Sequence, residues 1–350
     1  MAADGELPTV SLLIAAHNEE ADIGERLRTA LLMDWPADKL EIVVVSDGST
    51  DATPEIVQSF AQRGVRLLAY RERRGKAAAL NSAFSEVKGD VVLLSDANTH
   101  IEPPALACML RWFRDPAVGI VCGRLLLTDP GSGRNVDSLY WRYETFLKRC
   151  EGRLGALLGS NGGIYAIRRH LFSPIPDETI VDDFVIPLLA RLRTGCAIVY
   201  DPGALAREET PPDIASEFRR RARIGAGGFQ SIGMLWRLLH PKHGWVAFTF
   251  FSHKILRWFC PFFMIGALAS SLILWDREFY RYLLLSQVGF YGLSGLLAFA
   301  PLQFKPLKPL RLATMFTGMN AALLVGFWRW LRGTQKGAWQ RTARLAEGEL

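Results

Sequence analysis

Two polar residues follow an apolar strand in the stretch "LLSDANT": Asp96 and Asn98, two positions apart and directed to one side of an exposed turn. A carboxylate with a second oxygen ligand suits a hard cation such as Mg2+ or Mn2+, which keeps several waters and binds substrate phosphates. An aspartate after a strand also serves as a helix cap, so the pair alone leaves both readings open. A second strand-end acid, Asp47, stands in "EIVVVSDGSTDAT", where an apolar run passes straight into an Asp-Gly turn. Acids at neighbouring strand ends suit a nucleotide-diphosphate pocket, because open α/β sheets bind ligands at the carboxyl ends of their strands.

Three further stretches carry charge in positions of interest. "RERRGKAAALN" puts Arg73, Arg74 and Lys76 at a helix N-terminus, where free N–H groups and the helix dipole favour anions; a solvated basic turn is the alternative. In "ETIVDDFVIPLLARLRTG" Asp182 and Asp183 are adjacent. In a first helical turn they diverge by about 100°, so one can face a pocket as a catalytic base while the other caps the helix or pairs with an arginine. Arg219, Arg220, Arg221 and Arg223 in "FRRRARIGAGGFQ" are suited either to bidentate contacts with a phosphate or to anchoring on anionic lipid.

These residues need strands and turns to hold them. Strands are predicted over 10–15, 40–46, 65–69 and 91–95, alternating with helices over 21–33, 53–62, 76–87 and 104–113. Such alternation predicts a doubly wound α/β domain. A strand over 118–127, an amphipathic segment over 136–149, a Gly-rich turn and short strand over 159–168, a helix over 182–192 and a short strand over 197–200 follow. The chain has no Walker loop, since Tyr70 stands where the first glycine belongs and Ala77 follows the lysine; it also lacks HExxH, GxSxG and any GxGxxG after a strand. ATPase, zinc-protease, hydrolase and dehydrogenase readings lose their usual supports.

The 350 residues are 49% hydrophobic and carry a net charge of +6. Mean hydropathy is +0.12, and the apolar excess sits after position 248 in three runs, 255–275, 282–302 and 312–330. Each is about the 20 residues that span a bilayer core. Three full spans would leave Arg329, Arg332, Lys336, Arg341 and Arg344 on the far side, against the positive-inside rule, so two or three spans are expected. The start of the chain shows neither a basic leader nor a long apolar core. The resulting expectation is a multi-pass protein of the cell (inner) membrane with its catalytic domain in the cytoplasm. Its divisions are 1–240 for that domain, 241–335 for interfacial and transmembrane helices, and 336–350 for a basic tail. Five cysteines with no CxxC pair fit a reducing compartment without structural zinc, and the placement of the basic residues favours a membrane surface or phosphate over nucleic acid.

Seven segments in this order, "SLLIAAHNEE", "VVVSDGSTDAT", "GKAAALN", "LLSDANT", "GSNGGIYAIRR", "VDDF" and "FRRRARIGAGGFQ", resemble the family 2 glycosyltransferases, in particular membrane-bound relatives of cellulose, chitin and hyaluronan synthases. The resemblance covers about residues 8–230 together with the C-terminal apolar runs. It implies a GT-A type α/β domain that uses a nucleotide-sugar donor, commonly a UDP-sugar, and Mg2+ or Mn2+. By the same resemblance Ala16, His17 and Glu19 line the nucleotide pocket, Asp47 bonds the base, and Lys76 lies in the basic nucleotide-binding turn. Asp96 and Asn98 occupy the metal motif, Asp183 with Asp182 beside it the general-base motif, and Asn161, Gly162 and Gly163 the donor-sugar and acceptor pocket. Arg220 and Arg223 take the first and fourth positions of a Gln-x-x-Arg-Trp motif.

Two departures bear on what the resemblance implies. Asn98 replaces the second acid of the metal motif, which weakens the hold on a cation, and Ile224 stands where processive synthases carry an acceptor-stacking Trp. Single transfer of a hexose-type sugar by an inverting reaction to a membrane-associated, lipid-linked acceptor is therefore expected. A processive polysaccharide synthase and a non-catalytic scaffold with a transferase fold are the alternatives; the retention of Asp47, Asp96 and Asp183 speaks against the latter.

Overall fold

Segments such as VSLLIAA and LEIVVVSD have no polar alternation, and only a strand covered on both faces can bury every side chain of such a run. Both become central strands in the computed structural model, which describes residues 7–128, 139–209, 214–299 and 310–337. Strands β1 (Val10–Ala16), β2 (Leu40–Asp47), β3 (Val65–Tyr70) and β4 (Val91–Asp96) pair in parallel, as expected, with β1 between β2 and β4. Every residue of β1 is buried, and Leu12, Ile14, Val44 and Leu93 form one core with Ile23 and Leu27 from the helix layer. The crossovers include α1 (Ile23–Ala30), α2 (Thr53–Ser59) and α3 (Lys76–Phe84). All three are shorter than predicted.

The second half of the sheet departs from the all-parallel pattern. β5 (Thr99–Ile101) was not foreseen, β6 (Val118–Thr128) and β7 (Tyr165–Arg168) lie close to their predicted positions, and β8 (Ala197–Glu209) extends far past Tyr200. The eight-stranded order is β3-β2-β1-β4-β7-β6-β8-β5, with β7 antiparallel to both β4 and β6 and β5 antiparallel to β8. Past the expected end at 200, β8 runs through Pro202 and Gly203 and resumes its parallel pairing with β6 after a register shift between Cys122 and Arg124. Gly123 permits that shift, because a Cβ there would stand 2.8 Å from Ala204 O.

The antiparallel placement of β7 builds the site. Leu94 pairs with Tyr165, so the residues just before β7 arrive at the carboxyl end of β4, beside Asp96. Helices α4 (Ala105–Leu110), α5 (Leu139–Arg153) and α6 (Asp182–Thr194) complete the layers around this half.

The chain divides into two compact units. The first comprises residues 1–212, 233–250 and 336–350; the second comprises 213–232 and 251–335. The boundary expected at 240 therefore differs from this division, which assigns most of α7 (Ile214–Leu235) to the second unit and α8 (Trp245–Thr249) to the first. The second unit also holds α9 (Leu256–Ile273), α10 (Glu278–Phe299) and α11 (Leu310–Leu331). Its interior is aromatic: Phe229 meets Phe259, Phe327 and Trp330 with ring centroids 5.6, 5.1 and 6.0 Å away.

Two or three membrane spans were expected from the apolar runs. Among the described residues one helical stretch, Trp245–Ile273, is long and apolar enough to cross a membrane, with a mean hydropathy of 1.5 over its most apolar window. The second and third runs do form helices, α10 and α11. They carry Arg281, Gln287 and Ser294, and Thr317, Asn320 and Arg329, and the end of the second run, residues 300–302, lies outside the described residues. Most of the expected basic tail, residues 338–350, lies outside the described residues, as do residues 136–138 of the amphipathic segment. All five cysteines are free thiols.

Candidate active site

The strand-end loops of β1 and β2 are stitched together. Ala16 is buried at the end of β1, and His17 Nδ1–H donates to Asp47 O at 2.7 Å, which fixes the imidazole tautomer because a carbonyl can only accept. Asn18 sits at φ 56°, a left-handed conformation that asparagine tolerates, and its Oδ1 accepts from Thr50 N at 2.8 Å. Glu19 is buried and its N–H donates to Thr53 Oγ1 at 2.8 Å.

Asp47 is completely buried, and its carboxylate accepts from two backbone groups, Arg74 N at 2.8 Å and Gly75 N at 2.7 Å. Both oxygens thus hold the turn before α3. Gly75 is at φ 99°, a conformation open to glycine, and the turn delivers Lys76 as the first residue of that helix. The Arg74 guanidinium stacks 4.0 Å over the Tyr70 ring, away from these carboxylate contacts.

Lys76 reaches the other acids. Its Nζ lies 2.7 Å from Asp96 Oδ1 and 3.3 Å from Asp182 Oδ2. The second contact is an ion pair without hydrogen-bond alignment. Of the two adjacent acids, Asp182 is buried and paired with this lysine. Burial by itself lowers an ammonium pKa, but Asp182 and Asp96 outweigh it and hold Lys76 charged well above the usual range.

Asp183 comes to the same place from α6. Ser160 N–H donates to Asp183 O at 3.0 Å, tying the turn before β7 to the start of the helix. A methyl added at Gly162 would stand 3.3 Å from Asp183 Oδ2 and 3.4 Å from Asp96 Oδ2, so the two carboxylates converge on this glycine from opposite elements. Removal from water, and then the Asp182 charge, push the Asp183 carboxyl up to about 6 against the pull of Lys76. A carboxyl poised there accepts a proton near neutral pH.

Gly163 is packed so closely that a Cβ would lie 2.7 Å from Thr99 Oγ1, and its carbonyl accepts from Ser95 Oγ at 2.9 Å. Asn161 is fixed at both ends: Nδ2 donates to Gly123 O at 2.8 Å, and Oδ1 accepts from Lys148 Nζ. Asn98 lies half-buried in the turn between β4 and β5. Arg220 and Arg223 belong to α7 in the second unit, where Arg220 Nε donates to Glu217 Oε2 at 2.9 Å.

Three further groups complete the electrostatics. Lys148, on the amphipathic α5, reaches Asn161, but nothing in its local sequence marks it out. Tyr165 is buried, and burial with Asp182, Asp183 and Asp96 nearby holds its hydroxyl well above the normal range. Arg26 is wholly buried with none of its nitrogens hydrogen-bonded among the described residues; burial lowers it to about 10 while the Asp96 charge opposes the shift. Its signal was available, because Ile23, Arg26, Leu27 and Ala30 have the i, i+3, i+4, i+7 spacing of a buried stripe.

Asp96 from β4, Asp182 and Asp183 from α6, Lys76 and a glycine turn thus meet at the carboxyl edge of the sheet. Residues 11–173, which run from the second residue of β1 past the end of β7 and hold much of this site, match the family model described as glycosyl transferase family 2. Residues 11–173 thus form a glycosyl transferase family 2 domain. This glycosyltransferase is 28% identical to a probable glycosyltransferase, YdaM, of Bacillus subtilis, over 79% of its own chain and 68% of that protein. It is 27% identical to a beta-monoglucosyldiacylglycerol synthase of Synechocystis over 78% of its own chain and 58% of that protein. It is 26% identical to a poly-beta-1,6-N-acetyl-D-glucosamine synthase of Staphylococcus aureus over 64% of its own chain and 56% of that protein. The glycosyltransferase thus spans little more than half the length of the latter two relatives. A mannosyltransferase from Pyrobaculum calidifontis, solved with GDP-Man and Mn2+, superposes with a TM-score of 0.65 at 23% identity, over 93% of this chain and 88% of that one, which shows a shared GT-A fold.

The donor set suits a divalent cation. Asp96 and Asn98, on either side of Ala97 after β4, offer a carboxylate and an amide oxygen; among the described residues no three acidic, His or Cys side chains are grouped as a complete metal site, so the nucleotide diphosphate and water would supply the remaining ligands. Hard oxygen donors of this kind match Mg2+ or Mn2+.

Proposed function

We propose that this glycosyltransferase moves a hexose-type sugar from a nucleotide sugar, a UDP-sugar, to a lipid-linked acceptor, with inversion at the anomeric carbon. The observation that carries the reading is the convergence of Asp183 and Asp96 on Gly162 with Lys76 bound to Asp96. Asp183 takes the proton from the acceptor hydroxyl as that oxygen attacks the anomeric carbon, a role worth roughly 10²–10⁴-fold. Lys76 supplies positive charge where the nucleoside diphosphate departs. Asp96 and Asn98 would hold Mg2+ or Mn2+, which neutralises charge building on the leaving diphosphate. Gly162 keeps the space beside the carboxylates clear for the donor sugar, Gly163 lets the turn pack against Thr99, and Asn161, clamped by Gly123 and Lys148, offers a fixed amide edge to sugar hydroxyls. Ala16, His17 and Glu19 form the wall on which the nucleotide lies, and Asp47 supports that wall by setting the turn of Arg74 and Gly75.

The lipid acceptor is supported by the apolar helix Trp245–Ile273 that follows the catalytic unit and by the likeness to a glucosyldiacylglycerol synthase. Ile224, in place of an acceptor-stacking aromatic, favours a single addition over polymerisation.

The test is nucleotide release from a panel of UDP-, GDP- and dTDP-sugars by the protein in detergent, with and without Mn2+ or Mg2+. Metal-dependent release from one UDP-sugar is the expected result. Release from a GDP-sugar alone would overturn the donor assignment, and absence of both release and donor binding would overturn catalysis in favour of a scaffold.

A further inference from the structure

We infer that the Lys76 ammonium occupies the place of the divalent cation in the donor-free enzyme, so that metal can load on Asp96 only as Lys76 withdraws from it. The inference rests on the proposed use of Asp96 as a metal ligand and adds a role for a residue of this chain.

The backbone at the root of Lys76 is fixed while its side chain can move. This lysine is the first residue of α3, and the turn before it is held through Arg74 N and Gly75 N by the buried Asp47. From that anchor its side chain, only 19% exposed, ends 2.7 Å from Asp96 Oδ1 and 3.3 Å from Asp182 Oδ2. The other Asp96 oxygen faces Gly162 and the Asp183 carboxylate. Three carboxylates gathered in a half-buried site repel one another unless a cation lies among them. Lys76 is the cation hydrogen-bonded to Asp96 here.

An ammonium 2.7 Å from Asp96 Oδ1 opposes a divalent ion on either oxygen of the same carboxylate, because their repulsion is only weakly screened out of bulk water. Asn98 sharpens this competition. With an amide in place of the second acid of the turn, the metal meets one fewer negative charge, whereas Lys76 keeps both of its acidic partners. Once displaced, the ammonium is free to meet the diphosphate of the arriving donor. One side chain thereby neutralises the empty site and then serves the leaving group.

The test uses the full chain in detergent without donor, with Mn2+ as the probe. Free Mn2+ is followed by electron paramagnetic resonance for the wild type, Lys76→Gln and Lys76→Arg. Removing the resident positive charge should tighten Mn2+ binding by roughly tenfold or more, whereas Lys76→Arg should bind no more tightly than the wild type. Equal or weaker binding by Lys76→Gln would overturn the inference while leaving the metal assignment intact. Absence of Mn2+ binding in all three would overturn both. A second measurement needs no variant: an amine-acylating reagent, read by mass spectrometry at Lys76, should modify the wild type faster when Mn2+ is added. An unchanged or slower rate counts against displacement.

Discussion

Replacing Asp47 separates a residue that builds the site from one that merely lines it. Its carboxylate is wholly buried and accepts from Arg74 N and Gly75 N at 2.8 and 2.7 Å. Hydrogen bonds to a charged group contribute about 1.5–3 kcal/mol each, and the Arg74 amide is close enough to water to regain part of its loss, so the low end applies and Asp47→Ala should cost about 3 kcal/mol. For a unit of this size that corresponds to a fall of roughly 6–12 °C in melting temperature. Asp47→Asn keeps one acceptor oxygen but turns an NH2 toward the other backbone donor, so about half that fall or more is expected. Loss of the turn also frees the root of Lys76, and turnover should drop with stability. The assay is thermal melting of both variants in detergent beside donor hydrolysis at a temperature where each remains folded. An Asp47→Asn variant that melts with the wild type but loses donor affinity a hundredfold would refute this reasoning, because the carboxylate would then serve the nucleotide and not the turn.

Other perturbations test the centre itself. Asp183→Asn should lower kcat by about 10²–10⁴-fold while donor binding stays within a few-fold of the wild type; an equal loss of donor affinity would remove its assignment as base. Gly162→Ala places a methyl 3.3 and 3.4 Å from the Asp183 and Asp96 oxygens, so both carboxylates must yield by a few tenths of an ångström. Transfer should fall about tenfold with melting unchanged, as rates in oriented sites respond steeply to small displacements. Chelation with EDTA should remove donor hydrolysis, with Mn2+ or Mg2+ restoring it. As a control far from the chemistry, Gly119→Ala would put its Cβ 2.5 Å from Leu171 Cδ1 and 2.6 Å from Cys196 Sγ. Such overpacking should destabilise by about 1–3 kcal/mol in a melt while transfer by the folded protein persists.

The parallel half of the sheet was legible because a strand buried on both faces must be apolar throughout, and the segments over 10–15, 40–46 and 91–95 state this in a few adjacent letters. The candidate acids were legible for the same reason: Asp47, Asp96 and Asp183 each interrupt or end a recognisable local pattern.

What the sequence determined by itself was the inventory: which segments are buried strands, which carboxylates stand at their ends, and the family to which their order belongs. The tertiary structure alone decided their partners. Asp47 bonds amides 27 and 28 residues away, Lys76 pairs with Asp96 and Asp182, and an antiparallel β7 carries Gly162 between two carboxylates. Propensity and burial pattern act over a few residues and leave their mark in neighbouring letters. Partner choice between distant carboxylates, amides and ammonium groups depends on sheet order and strand direction, which no local stretch of chain encodes.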